Sequence, residues 1–253
     1  MLSKNKIKWI QSLDHKKGRR ESGLFLAEGN KLVTSLLPFF ECELLIACSS
    51  WLEMQGELKA KELIAVEEED IKKASLLKNP QEVIAVFVQP QLRFNTKMLE
   101  NELSLMLDGI QDPGNLGTII RLADWFGIKN IICSPDTADV YNPKTVQASM
   151  GGMARVDVFY ESLPEVLAGL KQLPIYGAFL KGNNIYREKL SATGVIVLGN
   201  EGNGIRPETE KWISHRLYIP NYPAPIESTE SLNVAVATAV ICSEFRRQQV
   251  YCQ

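Results

Sequence analysis

The stretch DGIQDPGNLGTIIRLADWFGI, residues 108–128, decides how the second half of the chain is read. It continues an apolar run, Leu103 to Leu107, with the length and composition of a buried strand. Asp108-Gly109 ends that strand, and Pro113-Gly114 turns the chain into a helix with Asn115 as the expected cap. Leu116, Ile119, Ile120, Ala123 and Phe126 recur at helical spacing, and Gly127 supplies a stop. Within it, Asn115, Gly117 and Arg121 form an Asn-x-Gly-x-x-x-Arg pattern, where Gly117 removes a Cβ that would keep another group away from the backbone. Taken alone, the stretch reads first as an ordinary capped helix with a surface arginine.

Two later stretches belong with it. VIVLGNEGNGI, residues 195–205, is a buried strand that runs into a loop containing Gly199, Gly202 and Gly204. Such a loop offers backbone N–H and C=O groups to a ligand. Its Gly-x-x-Gly-x-Gly spacing is not that of a dinucleotide fingerprint, and no Gly-Lys-Ser/Thr marks a P-loop. In YIPNYPAPIESTESLNVAVATAV, residues 218–240, Ile219-Pro220 closes a strand and a Pro-containing loop follows. Ser231-Leu232-Asn233 then opens an apolar helix, with Ser228 or Ser231 as the expected cap. A glycine-rich turn and a loop before a buried helix account for each of these stretches separately.

Around them the chain alternates strand and helix. Strands are expected at 130–133, 156–160, 175–180, 195–198 and 217–219, with helices near 143–150, 163–171 and 206–214 and a long one from about 232 to 248. Before residue 92 the pattern predicts helices at 4–13, 31–37 and 68–77 and strands at 24–27, 43–48, 63–66 and 82–88. Pro90 to Asn101 reads as a linker. The expectation is therefore two α/β domains, 1–92 and 93–253.

Composition narrows the function. With 253 residues and 45% hydrophobic content, the chain can fill one large core or two smaller ones. The opening MLSKNKIKWIQSL has no apolar core of a signal peptide, and Val234 to Cys242 is too short to span a bilayer, so a cytoplasmic protein is expected. Five scattered cysteines without a Cys-x-x-Cys pair, and only two histidines, leave little material for a disulfide framework, a metal site or His-centred catalysis. Net charge is −2, but residues 1–20 carry seven bases against Asp14, leaving −8 on the remainder. Lys16, Lys17, Arg19 and Arg20 make this arm either a local holder of polyanion or a solubilising helix end.

The order and spacing of the three stretches resemble those of the SpoU/TrmH family of RNA 2′-O-ribose methyltransferases, in the SPOUT superfamily. The likeness runs from about residue 102 to 248, and YNPKTVQASMGG (141–152) resembles the family's second helix segment. ESGLFLAEGNKLVTSLL (21–37) is similar to the small substrate-binding domain often fused in front. The resemblance implies a C-terminal trefoil-knotted methyltransferase domain, a homodimer packed through the knot, and S-adenosylmethionine held bent between the second and third loops. It places Leu198, Gly199, Asn200, Gly204, Ile219 and Leu232 at the cofactor. Asn115, Arg121, Glu201, Ser231 and Asn233 match the catalytic and RNA-facing positions. Residues 221–230 make the third loop longer than the family's usual one. The fused domain points to ribosomal rather than transfer RNA as substrate. A non-catalytic RNA-binding factor in ribosome assembly, built on the same fold, is the alternative.

In such a reaction the ribose 2′-oxygen attacks a sulfonium methyl. A guanidinium keeps its proton in proteins, so Arg121 is read as a cation that fixes an RNA phosphate and stabilises the developing alkoxide, not as the base. A dimer packed through the knot further implies that Arg121 serves the Ser231 and Asn233 of the other subunit.

Overall fold

The computed structural model describes residues 2–222 and 231–251; Pro223, Pro225, Ser228 and Cys252 lie outside the described residues. The chain forms two compact units, Met1–Gln91 with Asp139–Ala154, and Leu92–Ala138 with Arg155–Gln253.

In the first unit, strands β1 (Leu24–Glu28), β2 (Cys42–Cys48), β3 (Glu62–Val66) and β4 (Val83–Val88) form a sheet in the order β1-β4-β2-β3. β4 runs antiparallel to both β1 and β2, and β3 is parallel to β2. The two-residue period of a strand sends alternate side chains to opposite faces. Leu26, Leu44, Ile46, Ile84 and Val86 thus join Ile10, Leu13 and Ile71 in one core. On the other face Phe25 and Phe87 meet Phe40, and Phe25 packs against Tyr141. With both faces covered, β4 reads VIAVFV without polar alternation.

The basic arm is only partly an arm. Lys16–Ser22 is a helix that sequence patterning missed, because its polar residues carry no apolar stripe. Lys16, Lys17 and Arg20 are exposed on it. Arg19 is buried: Nε and Nη2 hold Asp139 at 3.0 and 2.7 Å, and Nη1 donates to the carbonyls of Leu13 and Asp14. For Arg19 the reading as a holder of polyanion, such as RNA, is therefore corrected. A buried guanidinium needs its charge and donors satisfied, and here these groups tie the arm to the segment 139–154.

The second unit has a parallel sheet, ordered β10-β8-β9-β5-β6-β7. Its strands are β5 (Leu103–Asp108), β6 (Asn130–Cys133), β7 (Asp157–Tyr160), β8 (Ile175–Asn184), β9 (Gly194–Gly199) and β10 (His215–Tyr218). Each neighbouring pair is parallel. On one face Met106, Ile132, Val195 and Val197 pack on Leu163, Val166 and Leu167 of the Leu163–Gly169 helix. Leu99 joins this core from a 3₁₀ turn at Thr96–Leu99, and Phe94 packs on Phe159. The expected linker is thus partly core. The expected helix at 206–214 shrinks to Pro207–Glu210.

The first-motif helix, Pro113–Trp125, buries Leu116, Ile119, Ile120 and Ala123 as expected. Its cap is Asp112, not Asn115: the Asp112 carboxylate accepts from the Asn115 backbone N–H at 2.9 Å. Asp112 sits before Pro113, the favoured place for a cap followed by proline. The C-terminal helix, Val234–Tyr251, packs on it, and Arg246 donates to the carbonyls of Phe126 and Gly127 at its end. A cation there satisfies orphan carbonyls and complements the helix dipole. Among the described residues, no helix is long and apolar enough to cross a membrane.

Candidate active site

The site is built where β5 and β9 end side by side, with Asp108 opposite Gly199 in register. In a parallel sheet, loops leaving the carboxyl ends make the binding crevice. β9 enters a tight hairpin there. Asn200 and Gly204 exchange backbone hydrogen bonds at 3.0 and 2.9 Å. The Asn200 Oδ1 accepts from the N–H groups of Gly202 and Asn203, and its Nδ2 donates to the Gly109 carbonyl at 2.8 Å. Gly199 has no alternative: a Cβ there would lie 2.2 Å from the Gly204 carbonyl carbon. Gly204 holds φ +69°, the left-handed region that glycine enters without strain.

Three residues from the three motifs meet at this hairpin. Asn233 Oδ1 accepts from the N–H groups of Ala235 and Val236, so Asn233 caps the C-terminal helix, a role expected of Ser228 or Ser231. Its Nδ2 must then donate, and it reaches Asn115 Oδ1 at 3.0 Å. That leaves Asn115 Nδ2 to donate to Glu201 Oε1, at 2.6 Å. Each amide is oriented by the bond before it. A helix cap thus fixes, through two amides, one oxygen of an exposed carboxylate.

Other expected residues lie apart from this chain of bonds. Arg121 is exposed, with no hydrogen bond or ion pair to the described residues. Six residues beyond Asn115 on one helix, it is about 9 Å further along and roughly 120° around the axis. Ser231 and Leu232 are exposed, and Ser231 makes no hydrogen bond to the described residues. Ile219 is half-buried just past β10.

Sequence reading passed over the groups beneath the hairpin. The carboxylate of Asp108 is fully buried and receives the Arg206 backbone N–H at 2.9 Å and its Nε at 2.6 Å. Arg206 Nη2 also reaches Asp136 at 3.2 Å. The Ser134 hydroxyl, donating to Asp136, holds that carboxyl below its usual range, assisted by Arg206. An acid at the end of a strand buried along its whole length must have a partner, which was the available signal for Asp108.

The backbone here fits an adenosyl cofactor. β8 pairs with β9 only as far as Val197, so the end of β9 at Leu198 and Gly199 runs past that ladder while staying paired with β5. A heterocycle would lie against that end, and Leu232 offers exposed apolar surface. Among the described residues, no group of His, Cys, Asp and Glu is arranged to hold a metal ion.

Comparison with known proteins identifies the family. Residues 102–243 match the model of the SpoU rRNA Methylase family, and residues 4–85 match the MRM3-like substrate binding domain. The 23S rRNA (guanosine(2553)-2′-O)-methyltransferase RlmP of Bacillus subtilis is 31% identical over 246 residues, 95% of this chain and 96% of that protein. A TrmH-family structure from Porphyromonas gingivalis is 42% identical, with TM-score 0.89 over 98% of this chain and 99% of that one. An AdoMet-bound rRNA methyltransferase from Sinorhizobium meliloti superposes with TM-score 0.81 at 26% identity, over 99% and 97% of the two chains.

Proposed function

Because the chain belongs to the SpoU rRNA methylase family, we propose that it methylates a ribose 2′-hydroxyl of ribosomal RNA, using S-adenosylmethionine. The observation that carries this reading is the Asn233–Asn115–Glu201 chain of hydrogen bonds beside the hairpin at residues 199–204. When bound, the cofactor supplies an electrophilic sulfonium methyl group. Leu198, Gly199, Asn200, Gly204, Ile219 and Leu232 would hold it, with Gly199, Ile219 and Leu232 acting largely through backbone.

Asn115, Glu201 and Asn233 present a preformed polar edge to the ribose, and Ser231 adds a hydroxyl. Glu201 keeps Oε2 for the outgoing hydroxyl proton, directly or through water, while Oε1 is anchored by Asn115. Arg121 stabilises charge developing on the 2′-oxygen. Its position on another side of its helix supports its serving the partner's site in a homodimer. Surface that such packing would cover includes Trp125, 83% exposed, and a recess of about 410 Å³ lined by Phe126, Tyr186, Ala239, Val240, Ser243 and Glu244. The C-terminal knot and a cytoplasmic location belong to the same reading. Lys16, Lys17 and Arg20 contact RNA phosphates from the first unit.

The test is transfer of labelled methyl from S-adenosylmethionine to unmodified, transcribed 23S rRNA, followed by digestion to nucleosides. A single 2′-O-methylated nucleoside is expected. Cofactor binding by calorimetry without transfer to any ribosomal RNA would favour a non-catalytic assembly factor. No binding at millimolar cofactor would remove the enzyme reading altogether.

A further inference from the structure

We propose that Arg206 is a positioning residue, whose clamp on the buried Asp108 sets the place of Glu201. The inference rests on the methyltransferase reading above. The hairpin closes on itself through Asn200 and Gly204, so its internal shape needs no outside help. Its placement is a separate matter. At its start, Leu198 and Gly199 are still registered on β5. At its far end, Arg206 binds both oxygens of Asp108, through its backbone N–H and its guanidinium, and extends to Asp136.

Asp108 is the last residue of β5, and Gly109, which follows it, is held twice more. Its carbonyl accepts from Asn200, and its N–H donates to Ser134 Oγ at 2.9 Å. Arg206 therefore stitches the loops after three adjacent strands, β9, β5 and β6, into one rigid base. Glu201 stands at the tip of the hairpin so anchored, within reach of Asn115, which leads off from the same β5 end. Without the clamp the hairpin is held only on its β9 side, by the strand pairing and the Asn200–Gly109 bond, and Glu201 loses its fixed distance from Asn115. Leu198 and Gly199 keep their β5 pairing and Asn200 keeps its bond to Gly109, so the effect falls chiefly on turnover and much less on cofactor binding.

The test uses full-length Arg206→Gln and Asp108→Asn, which retain hydrogen-bonding capacity and lose the charge pair. Wild type must first methylate transcribed 23S rRNA, since failure there removes the functional reading and not the clamp. Calorimetry with S-adenosylmethionine is a readout independent of turnover. Expected are a kcat lowered at least tenfold and a cofactor Kd within threefold of wild type. In a Glu201→Gln background, Arg206→Gln should then cost less than twofold, since the group it positions is already disabled. If either variant fails to fold, Asp136→Asn, which weakens only the outer end of the clamp, should give a smaller loss with the same pattern. The proposal is overturned by wild-type kcat in the folded variants, by cofactor affinity falling in step with kcat, or by an undiminished loss in the Glu201→Gln background.

Discussion

Asn115, on the first turn of its helix, donates from Nδ2 to Glu201 Oε1 across 86 residues of sequence. The same amide accepts from Asn233 through its oxygen. An aspartate at 115 could accept from Asn233 but could not donate to a carboxylate, and would place like charges side by side. Asn115→Asp should lower kcat by about 10²–10³, the loss typical when one preorganised group leaves a polar site. Cofactor affinity by calorimetry should stay within threefold. Equal losses in both would mean that Asn115 shapes the cofactor pocket.

Arg121→Ala tests a different kind of residue. Arg121 has no partner among the described residues, so folding should be affected by no more than about 0.5 kcal/mol, as for an ordinary surface substitution. Turnover should fall by about 10²–10³. Mixed dimers carrying Arg121→Ala in one subunit and Asn233→Ala in the other should retain near half of wild-type activity. Inactive but intact mixed dimers would place both residues in one subunit's site.

Gly199→Ala should be poorly tolerated. Its Cβ would meet the Gly204 carbonyl carbon at 2.2 Å and the Ile205 nitrogen at 2.3 Å, both backbone atoms with nowhere to retreat. Overpacking of this kind costs about 1–3 kcal/mol. Thermal melts should record that loss, and calorimetry a weakened hold on S-adenosylmethionine. An unchanged melt would show that the hairpin yields more readily than its close packing implies.

The four basic residues of the Lys16–Ser22 helix should separate into two classes. Arg19→Ala leaves Asp139 without its cation and should cost about 3–5 kcal/mol in stability. Lys16, Lys17 and Arg20 changed together to alanine should leave the melt unchanged. The triple change should weaken RNA binding and flatten its salt dependence, by a slope of roughly 0.7–0.9 for each phosphate no longer neutralised. Intact RNA affinity in the triple variant would move the RNA surface elsewhere.

Glu28 gives a test by pH. Burial raises its pKa above the ordinary carboxylate value, against the opposing bonds from Ser75 and the Leu76 N–H. A raised carboxylate pKa means that folding favours the protonated form. Stability from this group is fully present below the unfolded-state pKa and is lost as pH rises through the folded one. Glu28→Gln should therefore remove that fall in stability, making the variant relatively more stable at neutral pH than at pH 4. Parallel pH profiles for the two proteins would contradict this.

Much of the architecture was legible because burial repeats at regular intervals. The apolar faces of β4, β5 and the first-motif helix announced themselves, and the three motifs pointed to the residues that meet in the site. Local chemistry was harder to read. Asn115, Ser231 and Asn233 are all plausible caps by residue type, and only geometry shows that Asp112 and Asn233 do the capping. Arg19 looked like its neighbours because sequence does not show which basic side chain turns inward. Arg206 and Asp108 were missed because they pair across 98 residues, where no spacing rule reaches.

Asn233 begins a helix and orients the site with the two ends of one amide. Aspartate there would still cap through an oxygen, yet would lack the nitrogen that holds Asn115. Serine could cap as well, but is too short to offer both ends. Selection on this position therefore acts through two separable traits, and a lineage that gave up catalysis while keeping its fold should drift first towards aspartate or serine. The identity of residue 233 in a relative would then serve as a record of whether its methyl transfer is still under selection.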